Sequence, residues 1–330
     1  MVPECRKTLW DGCEAFDLRA FSYRALVVPS LGANVINLEY DTGKETFTIL
    51  RTPHSAKALL DDPFAWGVPV LFPPNRISGA FYEWDGVRYE FPVNRNGGLH
   101  IHGVLHNRPW PVIVYRADNE GALVQMKLDT RVDKDLRKYF PLDVVFTLEI
   151  CLTAKGLEHC FTMENFSSHK LLAGLAYHTA FKVPFRPGGS KDNIRLLVPL
   201  EAHCIDDPVT RLPTGETIPL DEFESRIAGE GAPPLEQGID ALFTAKPGNK
   251  EAIIRDLAAD REVFYKPDVA NRYWIIWNNE GKKDFIAVEP QSQLSNAMKL
   301  SDPESFGVRI VPPRKNWSCS NTIGVRLTNI

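Results

Sequence analysis

The feature that most constrains the fold of this chain is an alternation of apolar and polar residues with a period of two. The segments Ala122–Leu128, Val144–Leu152 and Leu157–Asn165 each alternate in this way. Because successive side chains point to opposite faces of a strand, each segment predicts a β-strand with one buried face. Lys155-Gly156 separates the last two segments and supplies the residue type that a tight turn needs, so these strands are predicted to form a hairpin.

A second hairpin is indicated by Asp85-Gly86, which lies between two aromatic-rich arms within Phe81–Phe91. Asp-Gly is a strong hairpin signal because glycine tolerates the positive φ of a type I′ turn. Helices are predicted only for Ser55–Asp61, Ile253–Asp260 and Ser292–Lys299. Further strands are predicted at Ala25–Val28, Val35–Tyr40, Pro111–Tyr115, Leu171–Tyr177, Tyr273–Trp277, Phe285–Val288, Val308–Val311 and Gly324–Thr328. The predicted fold class is all-β, a large antiparallel β-sandwich with few short helices.

The composition favours a large folded core and disfavours two classes of partner. The chain has 330 residues, 44% of them hydrophobic, and residues 1–330 are expected to form a single β-sandwich domain. A formal net charge of −4 provides no excess of basic residues for phosphates, so nucleic acid is not an expected partner. No apolar run reaches the roughly 18 residues of a membrane span, and Met1–Phe21 is rich in charged residues. No membrane association is expected, and the cytoplasm is the predicted location.

Three segments place polar chemistry within otherwise apolar sequence. His100 and His102 follow a glycine pair, His178 ends one apolar run, and Glu289 ends another. A carboxylate and imidazoles are the groups that proton transfer needs, one to take a proton and another to give one. Considered singly, His178 could be a hydrogen-bonded core residue and Glu289 a strand-end surface residue. The spacing of His100 and His102 puts them on one strand face, so they could also form half of a metal site.

Taken in chain order, these segments resemble the motifs of the aldose 1-epimerase family. The most specific match is Ala287–Ser292, which is similar to the family's catalytic Glu-Pro-Gln segment near the C-terminus. Leu99–Gly103 supports it upstream as the histidine-glycine segment. The other matching segments are Val28–Asn34, Pro73–Gly79 with the Asp85-Gly86 hairpin, Leu105–Trp110, Tyr177–Phe181 and Gly238–Phe243. The resemblance therefore covers nearly the whole chain.

The resemblance implies the supersandwich fold of galactose mutarotase and the interconversion of the α and β anomers of a free aldose. It implies that Glu289 takes the proton of the C1 hydroxyl and that His178 gives a proton to the ring oxygen. His102 would orient the ring oxygen or share the acid role, while Arg76 and Asp240 would bind hydroxyls as donor and acceptor. No metal and no cofactor are expected. The expected partner is a small-molecule sugar, bound by a monomer or a homodimer.

Three other functions stay open at this point. A hexose-6-phosphate 1-epimerase shares these motifs, but it would need an arginine cluster at the pocket that the sequence does not reveal. A non-catalytic carbohydrate-binding β-sandwich would share the fold, but it has no need for Glu289 to face His178. A cupin-type metalloenzyme would use His100, His102 and His106 as ligands, and it leaves the Glu-Pro-Gln segment unexplained.

Aromatic residues offer a further contact for a sugar. Trp66, Trp84 and Trp274 could each present a flat face to a sugar ring. Core packing is the favoured interpretation for each, because aromatic side chains contribute heavily to protein cores. The sequence therefore does not single out a stacking residue.

Overall fold

The computed structural model describes residues 2–248 and 251–328, and strands dominate them. The first five strands form an antiparallel sheet in chain order. These are β1 (Glu4–Trp10), β2 (Cys13–Ala20), β3 (Tyr23–Val28), β4 (Asn34–Asp41) and β5 (Thr46–Thr48). The remaining strands are β6 (Val70–Leu71), β7 (Arg76–Ile77), β8 (Phe81–Trp84), β9 (Val87–Glu90), β10 (His100–Ile101), β11 (Val112–Asp118), β12 (Gly121–Asp129), β13 (Val144–Thr153), β14 (Gly156–Asn165), β15 (Leu171–Ala173), β16 (Ala176–Tyr177), β17 (Thr179–Lys182), β18 (Ile194–Leu197), β19 (Leu200–Asp206), β20 (Pro213–Ile218), β21 (Asp240–Ala245), β22 (Ala252–Asp256), β23 (Arg261–Lys266), β24 (Tyr273–Trp277), β25 (Phe285–Gln291), β26 (Arg309–Val311) and β27 (Asn316–Leu327).

Helices are few and short. They are α1 (Ala56–Asp61), α2 (Lys134–Arg137) and α3 (Glu222–Ala228). Single 3₁₀ turns lie at Pro63–Ala65, Ser78–Ala80, Lys191–Asn193, Asn279–Gly281, Ala297–Lys299 and Glu304–Phe306. None of the helices in the described part of the chain is long and apolar enough to cross a membrane.

Two eight-stranded antiparallel sheets form the body of the molecule. The back sheet has the order β11-β12-β13-β14-β27-β23-β22-β18, and the front sheet has the order β20-β19-β21-β24-β25-β16-β6, with β17 also paired to β25. Their inner faces pack together: Phe161 of the back sheet stacks on Phe72 of the front sheet at 5.4 Å, and Tyr265 contacts Trp274 at 6.3 Å between ring centroids. The predicted all-β antiparallel sandwich is confirmed.

The alternating segments form the strands that their period predicts. In β12 and β13 every second residue is buried, as expected for strands with one core face. Asp85 and Gly86 adopt φ values of 51° and 76° between β8 and β9, the type I′ geometry that Asp-Gly favours. These short-range predictions succeed because turn chemistry and period are local properties.

Two of the three predicted helices are wrong. Residues of the predicted helix Ile253–Asp260 form β22 and a turn, since consecutive β-branched residues favour a strand and β18 and β23 pair with it on both sides. Most of Ser292–Lys299 is a loop, with only Ala297–Lys299 as a 3₁₀ turn. There the Ser292 hydroxyl accepts a hydrogen bond from the Leu175 backbone N–H at 2.9 Å, so tertiary contacts replace helical ones.

The predicted strand Leu171–Tyr177 is interrupted at Gly174. A Cβ at this position would lie 1.7 Å from Oε1 of Gln293, so the backbone passes very close to that side chain. The chain consequently pairs with β26 before the glycine and with β25 after it. This switch of partners brings the following residue pair, Tyr177 and His178, into the front sheet.

Candidate active site

The face of the front sheet that points away from the core carries a polar cavity. Leu242 of β21, Ile275 of β24 and Glu289 of β25 lie side by side across three strands, and Asp240 pairs with Trp277 in the same register. Side chains two residues apart on a strand share a face. All five line one cavity of about 240 Å³. Pockets for drug-sized ligands usually have volumes of about 300–1,000 Å³. This cavity is smaller, so it suits a small ligand.

His178 and Glu289 form the centre of this cavity. Strands β16 and β17 pair with β25 in one register, which places His178, the residue between them, opposite Glu289. Nε2 of His178 lies 3.1 Å from Oε1 of Glu289, and both side chains are buried. The backbone N–H of His178 donates to the carbonyl of Pro69 at 3.0 Å, which holds the histidine at the strand edge. The pair is within direct proton-transfer distance.

His102 reaches the same cavity from a turn. It follows β10 with a φ of 68°, and its N–H donates to the carbonyl of Asn75 at 3.0 Å. The next residue, Gly103, has a φ of 64°, and a Cβ there would lie 2.0 Å from the carbonyl oxygen of Phe72. Only glycine fits this approach. The histidine-glycine pair therefore turns the His102 ring towards His178, with ring centroids 5.5 Å apart.

Arg76 is held beside His102 by strand pairing and by Asn75. Strands β7 and β10 pair antiparallel, so Arg76 lies opposite Ile101. Oδ1 of Asn75 accepts hydrogen bonds from the backbone N–H of Arg76 at 2.8 Å, from its Nη1 at 3.4 Å and from the Ser295 hydroxyl at 3.2 Å. A buried asparagine thus orients the guanidinium. Sequence reasoning missed Asn75, although it directly precedes Arg76 in the motif.

Both arginines and aspartates lie at the rim of the cavity. Arg76 and Arg95 line it together with Asp206 and Asp240, and Nη2 of Arg211 lies 3.6 Å from Oδ2 of Asp240. Burial lowers the pKa of Arg76, while the nearby Asp206 and Asp240 act to raise it. Burial likewise raises the pKa of Asp206, opposed by Arg76. The rim therefore offers both hydrogen-bond donors and hydrogen-bond acceptors.

Burial controls the protonation of the central pair. It raises the pKa of Glu289 well above its usual value, Asp240 adds to the rise, and Arg76 acts against it. Burial lowers the pKa of His178 to about 3. Both shifts disfavour net charge in the cavity. At the 3.1 Å separation of Nε2 and Oε1, a neutral carboxyl group and a neutral imidazole can share one proton through a hydrogen bond.

His100, the other histidine of the Leu99–Gly103 segment, has different surroundings from His102. Nδ1 of His100 lies 2.7 Å from the carbonyl oxygen of Pro92, and its ring stacks on Phe91. Because β10 ends at Ile101, His100 and His102 do not continue on one strand face, so the spacing argument for a shared metal site is wrong. In residues 2–248 and 251–328, no group of three or more His, Cys, Asp or Glu side chains is arranged to hold a metal ion.

Aromatic residues other than the three tryptophans considered from the sequence contact the site. Trp277 lies 5.6 Å from the His178 ring and Phe64 lies 4.5 Å from the His102 ring, between centroids. Trp274 is instead a core residue, and Trp66 is covered by the guanidinium of Arg51 at 3.8 Å. The period of two along β24 could have identified Trp277, since it shares a face with Ile275.

Several buried polar atoms of the cavity-lining residues have no hydrogen-bond partner among the described residues. Within the described residues, Oε2 of Glu289 and Nδ1 of His178 and His102 have no hydrogen-bond partner. An unpaired buried polar atom costs about 1–3 kcal/mol, so native proteins usually satisfy such atoms with protein, water or ligand.

Comparison with known proteins agrees with this geometry. The family model described as aldose 1-epimerase matches residues 14–306. A galactose mutarotase-like protein from Clostridium acetobutylicum is 29% identical, each chain is covered to 99%, and the TM-score is 0.92. A galactose 1-epimerase from Lactobacillus acidophilus is 15% identical with 99% of each chain covered and a TM-score of 0.71. A galactose mutarotase-like protein from Lactobacillus casei is 18% identical, with 94% of this chain and 100% of that chain covered and a TM-score of 0.68. The last two show the fold alone, whereas the family model covers most of the sequence, and the chain belongs to the aldose 1-epimerase family.

Proposed function

We propose that this protein interconverts the α and β anomers of an aldose by acid–base ring opening. The observation that carries the proposal is the His178–Glu289 pair, 3.1 Å apart within a small cavity that Arg76 and Asp240 also line. A binding module would not need a carboxyl group and an imidazole at proton-transfer distance. An epimerase needs both, because the C1 hydroxyl must lose a proton while the ring oxygen gains one.

The shared proton of the pair explains how both roles are available at once. When the proton moves from Glu289 to His178, the pair becomes a carboxylate and an imidazolium. The carboxylate then takes the proton of the C1 hydroxyl, the C1–O5 bond breaks, and the imidazolium protonates O5. The open-chain sugar rotates about the C1–C2 bond, and the reverse proton transfers close the ring to either anomer. Positioned acid–base groups each contribute on the order of 10²–10⁴-fold.

The remaining predicted site residues suit binding and orientation. His102 lies beside His178 and is neutral. Its pKa is well below the usual value, mainly because of burial and to a lesser extent because of the neighbouring His178 and His106. A neutral imidazole can accept from or donate to a sugar oxygen without adding charge. Arg76 and Asp240 supply a donor and an acceptor for the other hydroxyls.

Exchange spectroscopy by NMR tests the function directly. The expected result is saturation transfer between the α and β resonances of at least one free aldose, with catalysis absent in Glu289→Gln at equal protein concentration. Sugar binding without faster exchange would favour a carbohydrate-binding module. Loss of exchange after chelation, restored by a metal ion, would favour a metalloenzyme.

A phosphorylated aldose is the second candidate, and the rim arginines favour it. Two arginines, Arg76 and Arg95, line the cavity, and a third, Arg211, lies beside the cavity residue Asp240, so together they could serve as the arginine cluster that the sequence did not reveal. Arginine is the side chain best suited to bind phosphate. However, Asp206 and Asp240 lie among these arginines and would repel a dianion, which makes the free sugar the first choice. Arg95→Ala distinguishes the two: KM for a hexose 6-phosphate should rise about tenfold or more if Arg95 binds phosphate, and KM for the free hexose should barely change.

A further inference from the structure

A hydrogen bond between the two sheets lies next to the His178–Glu289 pair. It is on the core side of the strands that carry the pair. Thr179 directly follows His178, and it pairs with Val288, which directly precedes Glu289. Because side chains alternate along a strand, Thr179 points into the core where His178 points into the cavity. The hydroxyl of Thr179 donates to the hydroxyl oxygen of Tyr265 at 3.0 Å. Tyr265 lies on β23 of the back sheet, so this contact spans the sandwich.

The Tyr265 side of the contact is itself fixed. Nδ2 of Asn321, on β27, donates to the Tyr265 hydroxyl oxygen at 3.4 Å, and Oδ1 of Asn321 accepts from the backbone N–H of Asp268 at 2.9 Å. The Tyr265 ring contacts Phe181 at 5.6 Å and Trp274 at 6.3 Å between centroids. Thr179, Tyr265 and Asn321 are all buried. A buried hydroxyl of this kind has little freedom to move.

We propose that Tyr265 is a positioning residue: through Thr179 it sets the distance between His178 and Glu289. The role of the pair rests on the proposed function, but the positioning does not. Apolar contacts between sheets are non-directional and permit small sliding motions, whereas a hydrogen bond has a preferred length and angle. Thr179 is adjacent to His178 and is paired with Val288, the residue before Glu289, so a displacement of Thr179 relative to β25 changes the distance between His178 and Glu289.

The test replaces the hydroxyl and keeps the ring. In Tyr265→Phe we expect kcat to fall about tenfold with KM within twofold of the parent, because a small misplacement of reacting groups costs rate more than binding. Thr179→Val removes the same hydrogen bond from the other side and should show the same loss. The double variant should be no worse than either single variant, as expected when both residues act through one contact.

Tyr23→Phe is the matched control. Tyr23 is also a buried tyrosine, and its hydroxyl oxygen accepts from the backbone N–H of Val325 at 2.8 Å, but it does not line the cavity. Its loss should lower the melting temperature and leave kcat unchanged. If Tyr265→Phe lowers the melting temperature like Tyr23→Phe while kcat stays at the parent value, Tyr265 is merely structural and the proposal is overturned.

A second readout needs no sugar. The ¹⁵N shifts of the His178 ring report where the shared proton lies, and we expect them to change in Tyr265→Phe and Thr179→Val but not in Tyr23→Phe. Unchanged ring shifts in both site variants would contradict the proposal. Changed shifts in a protein that exchanges no aldose would uphold the positioning and refute the proposed function. If Tyr265→Phe does not fold, Thr179→Val decides the question by the same two measurements.

Discussion

The two faces of β25 are equally buried, but one is apolar and the other carries a carboxyl group. Val288 points into the core with 0% of its surface exposed, and Glu289 points into the cavity with 1% exposed. On the core face the buried hydroxyl of Thr179 has a partner in Tyr265, whereas on the cavity face the described residues leave Oε2 of Glu289 without one. Burial alone therefore does not separate a core from a site. At these two positions the faces differ instead in whether the buried polar atoms have partners.

This difference has an energetic consequence. Core residues stabilise the fold through apolar burial, about 25 cal/mol per Å². A buried carboxyl group with one oxygen left without a partner destabilises the same layer, and it persists because the neighbouring apolar strands hold it in place. Variants on the cavity face should therefore change catalysis, and variants on the core face, apart from those of the Thr179–Tyr265 contact, should change stability. The following predictions test that separation.

The largest effect is expected for Glu289→Gln. The amide keeps the size and hydrogen-bonding capacity of the side chain but cannot accept a proton, so kcat should fall about 10²-fold or more with KM nearly unchanged. The amide also removes an ionisable group from an apolar layer, so the free energy of unfolding should stay equal to or exceed that of the parent. Anomer exchange by NMR and chemical denaturation measure the two quantities. A variant with most of the parent's kcat would refute the assignment of the base.

Arg76→Ala should affect binding more than rate. A hydroxyl contact serves the ground state and the transition state alike, so KM should rise about tenfold while kcat falls by less. Steady-state measurements over a range of sugar concentrations separate the two constants. The opposite pattern, a large loss of kcat at constant KM, would place Arg76 among the groups that stabilise charge in the transition state.

Two buried histidines should make the stability of the protein depend on pH. His178 lines the cavity, whereas His159 is buried on β14 away from it. Burial lowers the pKa of both His178 and His159 to about 3. The unfolded chain then binds more protons than the folded chain between about pH 6.5 and pH 3, so these groups make stability fall as the pH falls through this range. The raised pKa of Glu289 has the opposite effect. Above the usual pKa of a glutamate, it makes the free energy of unfolding fall as the pH rises.

His159→Phe isolates the core contribution. His159 lies on β14 beside Tyr177 and does not line the cavity. The variant should flatten the dependence of unfolding free energy on pH by up to about 1.4 kcal/mol per pH unit, with kcat unchanged. Denaturation at pH 4.5 and pH 7 measures the slope. An unchanged slope would mean that His159 titrates normally in the folded protein.

The smallest effect is expected for Ile276→Val on the core face. Ile276 is fully buried and pairs with Val288 next to the site. Removal of one methylene group should cost about 0.5–1.5 kcal/mol of stability and leave anomer exchange within twofold of the parent. Loss of activity larger than this would show that the two faces are not separable, and it would strengthen the argument that core contacts position the central pair.

Local patterns predicted much of the fold but not its exceptions. The period of two identified β12, β13 and β14, and Asp85-Gly86 identified a hairpin, because both signals depend on neighbouring residues alone. The predicted helix at Ile253–Asp260 failed because β18 and β23 pair with this segment from distant parts of the chain. Propensity is a weak prior when pairing on both sides is available.

The sequence by itself determined the strand character of the chain and, through its motifs, the five candidate residues Arg76, His102, His178, Asp240 and Glu289. Only the tertiary structure decided that these residues meet in one cavity and that Trp277, Arg95 and Asp206 join them. The physical reason is register. Which residue of β16 or β17 faces which residue of β25 depends on packing between sheets, and a slip of one residue would turn Glu289 into the core. The alternation specifies the faces, and the contacts of the assembled sandwich select the register.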